Sequence, residues 1–138
     1  MVMHTSVVVV DQRPPVVAAV VGALTEAGYS SCGAHAFGDA VWLLATKPDV
    51  VVVSVELGTF NGLHLLLRSS VDSPATRVIV VGPQSRGMEA EARALGAAAY
   101  LARPVTAAAI VEQVALVSCQ IPLPPSVHDL AGSDVARA

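Results

Sequence analysis

Short unbroken runs of valine alternate along the chain with longer segments in which apolar residues recur every three or four positions. A run that is apolar at every position is typical of a strand buried on both faces, and the wider spacing is typical of a helix packed on one side. The pattern predicts five strands, at residues 7–10, 29–34, 50–53, 78–81 and 98–101. It predicts five helices, at residues 14–27, 39–46, 62–69, 89–95 and 104–117. We expect residues 54–60 to form a loop.

Strands and helices that alternate with short connections predict an α/β fold. Crossovers between parallel strands are right-handed, so helices cover both faces of the sheet. The leading topology is a flavodoxin-like, doubly wound, five-stranded parallel sheet of order 2-1-3-4-5. Packing on that sheet places Trp42 in the core, and the helical spacing turns Leu63, Leu66 and Leu67 toward the sheet.

The composition is that of one compact domain without a membrane span. Hydrophobic residues make up 54% of the 138 residues and charged residues 14%. No segment reaches the roughly 18 to 20 uncharged apolar residues that a spanning helix needs, and residues 1–10 lack the cationic start of a signal peptide. Cys32 and Cys119 have neither metal-ligand spacing nor the density of a disulfide framework. We therefore expect a cytoplasmic protein.

Charge and C-terminal composition narrow this description. The net charge is −3, with 8 lysines and arginines. Direct binding to nucleic acid is not expected, because it depends on clustered cations that neutralise phosphates. After residue 118 the sequence is rich in proline and polar residues. This predicts a domain over residues 1–118 and a flexible, Pro-rich tail over residues 119–138.

Candidate chemistry must lie beyond the carboxyl ends of the strands, where ligands bind in doubly wound sheets. The residues placed there are Asp11 and Gln12 after the first strand, Ser54 and Glu56 after the third, Gly82 after the fourth and Arg103 after the fifth. Glycine-rich phosphate loops are absent from the sequence, and its histidines lack ligand spacing. A carboxylate buried there needs a cation, so one hypothesis pairs Arg103 with either Asp11 or Glu56. The alternative is that Glu56 points to solvent and Arg103 extends its charged end into water.

Several collinear segments, spread over about residues 5–117, resemble the response-regulator receiver domain. They are Val7–Asp11 followed by Pro14, Pro48–Ser54, Asn61–Leu63, Thr76–Val81, Ala94–Ala97 and Tyr100–Pro104. The resemblance implies the doubly wound fold and a role in bacterial signalling. It also implies that Tyr100 stands where the family carries an aromatic residue that turns inward on activation.

The residues that such domains use for phosphorylation are mostly replaced. In the family that the chain resembles, phosphorylation uses two acidic residues after strand 1, an acceptor Asp after strand 3, a Ser or Thr after strand 4 and a Lys after strand 5. Of these, Asp11 is kept. The other positions hold Gln12, Ser54, Gly82 and Arg103, with Ser85 a nearby hydroxyl. A serine hydroxyl without a general base is a poor nucleophile. Losing two carboxylates also removes most of the oxygen donors for Mg²⁺, so we expect neither catalysis nor a cofactor, and Mg²⁺ binding that is lost or weak.

The sequence therefore favours a phosphorylation-independent pseudo-receiver that acts as a protein-protein interaction module in signal transduction or transcriptional regulation. Its partner would be a signalling or regulatory protein, or a second copy of the chain. The expected partner face holds Tyr100, Arg86 and Arg93. Two alternatives stay open: a small-molecule sensor that uses the altered crevice, and a conventional receiver with residual phosphotransfer.

Overall fold

The computed structural model describes residues 5–118, so the predicted tail over 119–138 lies outside the described residues. The strands are β1 (Ser6–Val10), β2 (Ser30–Ala34), β3 (Val50–Ser54), β4 (Glu56–Leu57), β5 (Phe60–Asn61), β6 (Arg77–Gly82) and β7 (Ala99–Ala102). The helices are α1 (Pro14–Glu26), α2 (Phe37–Leu44), α3 (Gly62–Asp72), α4 (Arg86–Ala94) and α5 (Ala107–Ser118). Among residues 5–118, none of these helices has the length and apolar character needed to cross a membrane.

The main sheet is parallel and has the order β2-β1-β3-β6-β7. This confirms the predicted flavodoxin-like topology, because β6 and β7 are the fourth and fifth strands of the main sheet. The loop predicted for residues 54–60 is wrong in part, since β4 and β5 form a small antiparallel hairpin there. Gly58 has a φ of +64°, which permits the tight turn between them, and Leu57 anchors the hairpin in the core.

The valine runs supply both faces of the sheet, because successive side chains of a strand point to opposite sides. One face packs under α2, α3 and α4 and is called the α2–α4 face; its strand residues include Val8, Val10, Val51, Val53, Val78, Val80 and Tyr100. The other packs under α1 and α5 and is called the α1–α5 face; its strand residues include Val7, Val9, Val50, Val52, Ile79, Val81 and Ala99. The core is therefore two layers on either side of one sheet.

Two packing predictions are wrong. Trp42 is 78% exposed and Leu67 is 48% exposed. In α2 the residues that face the sheet are Ala40 and Leu44, four positions apart, and Trp42 lies halfway between them on the opposite side of the helix. In α3 the buried stripe takes Leu65 with Leu63 and Leu66, which leaves Leu67 at its edge.

Capping residues move two helix boundaries from their predicted positions. The α4 helix begins at Arg86, three residues before the predicted start. Ser85 precedes it, and the Ser85 hydroxyl accepts a hydrogen bond of 3.1 Å from the Met88 backbone N–H. The α5 helix begins at Ala107 rather than at Pro104, after the Thr106 hydroxyl accepts from the Ala109 N–H at 3.0 Å. Arg103 therefore lies in the segment between β7 and α5, where its backbone N–H donates a 2.8 Å hydrogen bond to the Gly82 carbonyl oxygen.

Candidate functional site

The carboxyl ends of the parallel strands form a crevice that holds most of the predicted site residues. Asp11 follows β1, Ser54 ends β3, Gly82 ends β6 and Arg103 follows β7. The side chains of Asp11, Ser54 and Arg103 line one cavity together. Gln12 lies at the rim, where its side-chain oxygen accepts a 2.8 Å hydrogen bond from the Gly58 N–H. Gly82 faces the other side of the sheet.

Asp11 is held by Arg13, a residue that the sequence reasoning missed. The Arg13 Nε and Nη2 atoms donate to the two carboxylate oxygens of Asp11, each at 3.0 Å, and the Arg13 backbone N–H donates to Oδ1 at 2.9 Å. An aspartate often caps the backbone two residues on, and Pro14 then starts the helix. This turn brings the Arg13 side chain back over the buried carboxylate. The hydrogen bond and the charge of Asp11 raise the pKa of Arg13.

Arg103 pairs with Glu56, so of the two carboxylates left open by the sequence, Glu56 is the partner. The ion pair joins Arg103 Nη2 and Glu56 Oε1, with 24% of the arginine side chain and 51% of the glutamate side chain exposed. Burial lowers the pKa of Arg103, the charge of Arg13 lowers it further, and Asp11 opposes both. The side chains of Arg13 and Arg103 line the same cavity.

Ser54 lies at the inner end of the crevice. It is 3% exposed, and its hydroxyl lies 3.5 Å from Glu56 Oε1. This is a long contact to a half-exposed carboxylate whose other partner is Arg103. A hydroxyl needs a well-aligned general base to act as a nucleophile, and a contact of this length does not supply that alignment.

On the α2–α4 face, Gly82 and Tyr100 fit together. Tyr100 is 8% exposed, and its hydroxyl donates a 2.6 Å hydrogen bond to the Pro83 carbonyl oxygen. A Cβ atom on Gly82 would overlap the Tyr100 hydroxyl and lie 2.8 Å from Val55 Cγ2. Tyr100 therefore points inward because residue 82 has no side chain. Burial, and then the charge of Glu89, raise the pKa of Tyr100.

The remaining predicted residues lie on α4. Arg86 is exposed at the start of the helix. Arg93 is exposed in the last turn of the helix, and its Nε donates to Glu89 Oε2 at 3.1 Å. Ser85 is engaged as the helix cap, so its hydroxyl is directed at α4 rather than at the crevice. These residues share a surface rather than a reaction site.

Below the crevice, the α1–α5 face contains a cavity of about 450 Å³. Asp11, Arg13, Ser54 and Arg103 line its polar part, and aliphatic side chains line the rest. The sequence pattern carried no signal for this cavity, since its volume depends on how the side chains of two helices meet the sheet. Within residues 5–118, no group of three or more His, Cys, Asp or Glu side chains is arranged to hold a metal ion.

Comparisons with known proteins give one family match and several similar solved structures. The response regulator receiver domain family matches residues 7–115 of the chain. A response regulator from Thermotoga maritima has a TM-score of 0.77 at 26% identity, covering 86% of this chain and 100% of that one. The receiver domain of Francisella response regulator 1452 has a TM-score of 0.80 at 21% identity, covering 86% and 100%. No match was found among curated proteins.

A third solved structure shows what a phosphorylated relative holds. It is a response regulator from Burkholderia pseudomallei with a phosphorylated aspartic acid, a calcium ion and citrate. Its TM-score is 0.72 at 24% identity, covering 86% of this chain and 76% of that one. At this identity the likeness shows a shared fold.

Proposed function

The chain belongs to the response regulator receiver domain family of two-component signalling, and we propose that it is a pseudo-receiver that binds its partner without being phosphorylated. The observation that carries this proposal is the charge pairing in the crevice. Asp11 is bound by Arg13, Glu56 is bound by Arg103, and the strand end between them carries Ser54. We further propose that the protein is not an enzyme and that it is cytoplasmic.

Phosphoryl transfer in a receiver needs a carboxylate acceptor and a divalent cation beside it. The end of β3 carries the Ser54 hydroxyl, which would give an ester rather than an acyl phosphate. The donor set does not suit Mg²⁺, because both Asp11 oxygens accept from Arg13 and the Gln12 side-chain oxygen accepts from the Gly58 N–H. Mg²⁺ demands near-ideal octahedral geometry from oxygen ligands. We therefore expect weak or undetectable Mg²⁺ binding.

The partner face would be formed by α4, β7 and α5. Tyr100 lies under this face and points inward because Gly82 leaves it room, so the shape of the face does not depend on a phosphate. Arg86 and Arg93 project from α4 toward solvent. An exposed arginine is well suited to bidentate contacts with carboxylates on a protein partner. The expected partner is a signalling or regulatory protein, or a second copy of this chain.

Phosphorylation is tested by incubating the full chain with acetyl phosphate and Mg²⁺ and measuring the intact mass. A receiver with an acceptor aspartate serves as the positive control. We expect the control to gain a phosphoryl group and this chain to gain none. A hydroxylamine-labile phosphoryl adduct on this chain would identify a carboxyl phosphate and contradict the proposal.

The partner face is tested by capture from the native host with the chain as bait, with and without acetyl phosphate. We expect the same partner under both conditions. The variant with Arg86→Glu and Arg93→Glu should lose it, because both changes reverse charge on α4. Arg68→Glu is the matched control, since Arg68 on α3 is 51% exposed and Arg93 is 52% exposed. Capture that requires acetyl phosphate, or that survives the double change, would contradict the proposal.

A further inference from the structure

The cavity on the α1–α5 face has the size and lining of a small-molecule site. Its volume of about 450 Å³ lies within the roughly 300 to 1,000 Å³ that such sites span. Its apolar walls come from the sheet, from α1 and from the start of α5: Val9, Val20, Val52, Val81, Ala107 and Ile110. Short aliphatic side chains of this kind can contact a hydrocarbon body and offer it no hydrogen bonds.

The polar end of the cavity carries two cations and one carboxylate. Arg13 and Arg103 both line it, as does Asp11. Burial and the charge of Arg13 lower the pKa of Arg103, and the charge of Asp11 raises it. An anion placed between the two guanidinium groups would be attracted by both. Asp11 is the direct partner of Arg13, whose Nε and Nη2 atoms donate to both of its oxygens.

Glu56, the ion-pair partner of Arg103, does not occupy this cavity. Its side chain is 51% exposed, and it is not among the residues that line the cavity. The half-exposed Glu56 carboxylate is well solvated, so an incoming anion can compete with it for Arg103. The Ser54 hydroxyl, which lines the cavity and is 3% exposed, would then donate to the same anion.

We propose that this cavity binds a small amphipathic monocarboxylate, with the carboxylate between Arg13 and Arg103 and the hydrocarbon body against Val52 and Val81. The planar fork of Arg103 can bind this carboxylate in two parallel hydrogen bonds. Arg13, whose Nε and Nη2 atoms donate to Asp11, would donate from Nη1. The buried Asp11 beside the polar end disfavours a dianionic phosphate, because it would add a third negative charge at close range. The proposal goes beyond partner binding, and either can hold without the other.

The ligand class is tested by calorimetric titration of the full chain with hexanoate, 1-hexanol and hexylammonium, which share one hydrocarbon body and differ in charge. We expect hexanoate to bind at least about tenfold more tightly than the other two, the size expected from one charge-assisted hydrogen bond. Equal affinity for hexanoate and 1-hexanol would mean that the charges play no part. That result, or no binding of hexanoate, would overturn the proposal.

The position of the carboxylate is tested by Arg13→Gln and Arg103→Gln, with circular dichroism to verify folding. Arg103→Gln keeps the test decisive if loss of Arg13 leaves Asp11 unpaired and unfolds the chain. Each folded variant should bind hexanoate at least about tenfold more weakly. Arg68→Gln is the matched control, because Arg68 lies outside the cavity lining, its side chain is 51% exposed and that of Arg13 is 50% exposed. Unchanged affinity in Arg103→Gln, or an equal loss in Arg68→Gln, would overturn the proposal.

Discussion

The two faces of the sheet differ most where the strands end. On the α2–α4 face, Tyr100 fills the room beside Gly82, and its hydroxyl is bonded to the Pro83 carbonyl. On the α1–α5 face, near the same strand ends, strand valines such as Val52 and Val81 border a cavity of about 450 Å³. We call the α2–α4 face the filled face and the α1–α5 face the open face. Adjacent residues of β6 show the contrast: Val80 packs in the filled face, and Val81 lines the cavity.

This difference has a simple origin in side-chain size. The helices over the filled face present leucines to the sheet, including Leu44, Leu63, Leu65 and Leu66, and the β4–β5 hairpin adds Leu57. The helices over the open face present mostly shorter side chains near the strand ends, including Val16, Val20 and Ala107. A filled face holds one shape, which suits a surface recognised by a partner. An open face can accept a ligand without first expelling a side chain.

Removing the tyrosine ring is the most direct way to break this contrast. Tyr100→Ala opens a hole in the filled face, and the expected loss of unfolding free energy is about 3 to 5 kcal/mol, as for other buried aromatic truncations. Urea denaturation measures it. Tyr29→Ala is the matched control: Tyr29 is only partly buried, against the core of the other face, and its removal should cost less. Equal losses would show that the two faces are packed alike.

Adding a side chain at Gly82 breaks the same contact from the other side. The Cβ of Gly82→Ala overlaps the Tyr100 hydroxyl and crowds Val55, so a cost of about 1 to 3 kcal/mol is expected from overpacking. In the Tyr100→Ala background the cost should be smaller, since the obstructing group is gone. The double-mutant cycle should give a coupling of about 0.5 to 3 kcal/mol. A coupling free energy of zero would show that Gly82 and Tyr100 do not interact.

The fold was predictable to a larger extent than the site. Unbroken valine runs predict strands buried on both faces. Their alternation with helices through short, right-handed connections predicts the strand order that the structure confirms. The Gly82–Tyr100 contact was not predicted, because it joins residues 18 positions apart through side-chain shape. Arg13 was missed because spacing places it beside Asp11 without fixing its rotamer. The prediction for Trp42 rests on the packing of α2 against the sheet, and α2 does pack there, but through Ala40 and Leu44.

One added methyl group on either side of β6 sharpens the comparison. Val80→Ile extends a side chain that is 0% exposed in the filled face, and overpacking should cost about 1 to 3 kcal/mol. Val81→Ile extends toward the cavity and should cost close to nothing, because the methyl group has space. The strand, the substitution and the β-branching are identical, so each variant controls for the other. Equal midpoints in urea denaturation would mean that the cavity does not accept the added group.

The smallest expected effect is a pH dependence on the filled face. Burial and the charge of Glu89 raise the pKa of Tyr100 in the folded chain. A tyrosine in the unfolded chain has a pKa of about 10. Between the two values the folded state binds more protons than the unfolded state, so stability falls as pH rises. The contribution is therefore fully present below about pH 10 and is lost as pH rises through the folded value. Tyr100→Phe keeps the ring and removes the titration, so its unfolding free energy should fall less than that of the unmodified chain over this range. Parallel curves for the two proteins would place the Tyr100 hydroxyl in water rather than against Pro83.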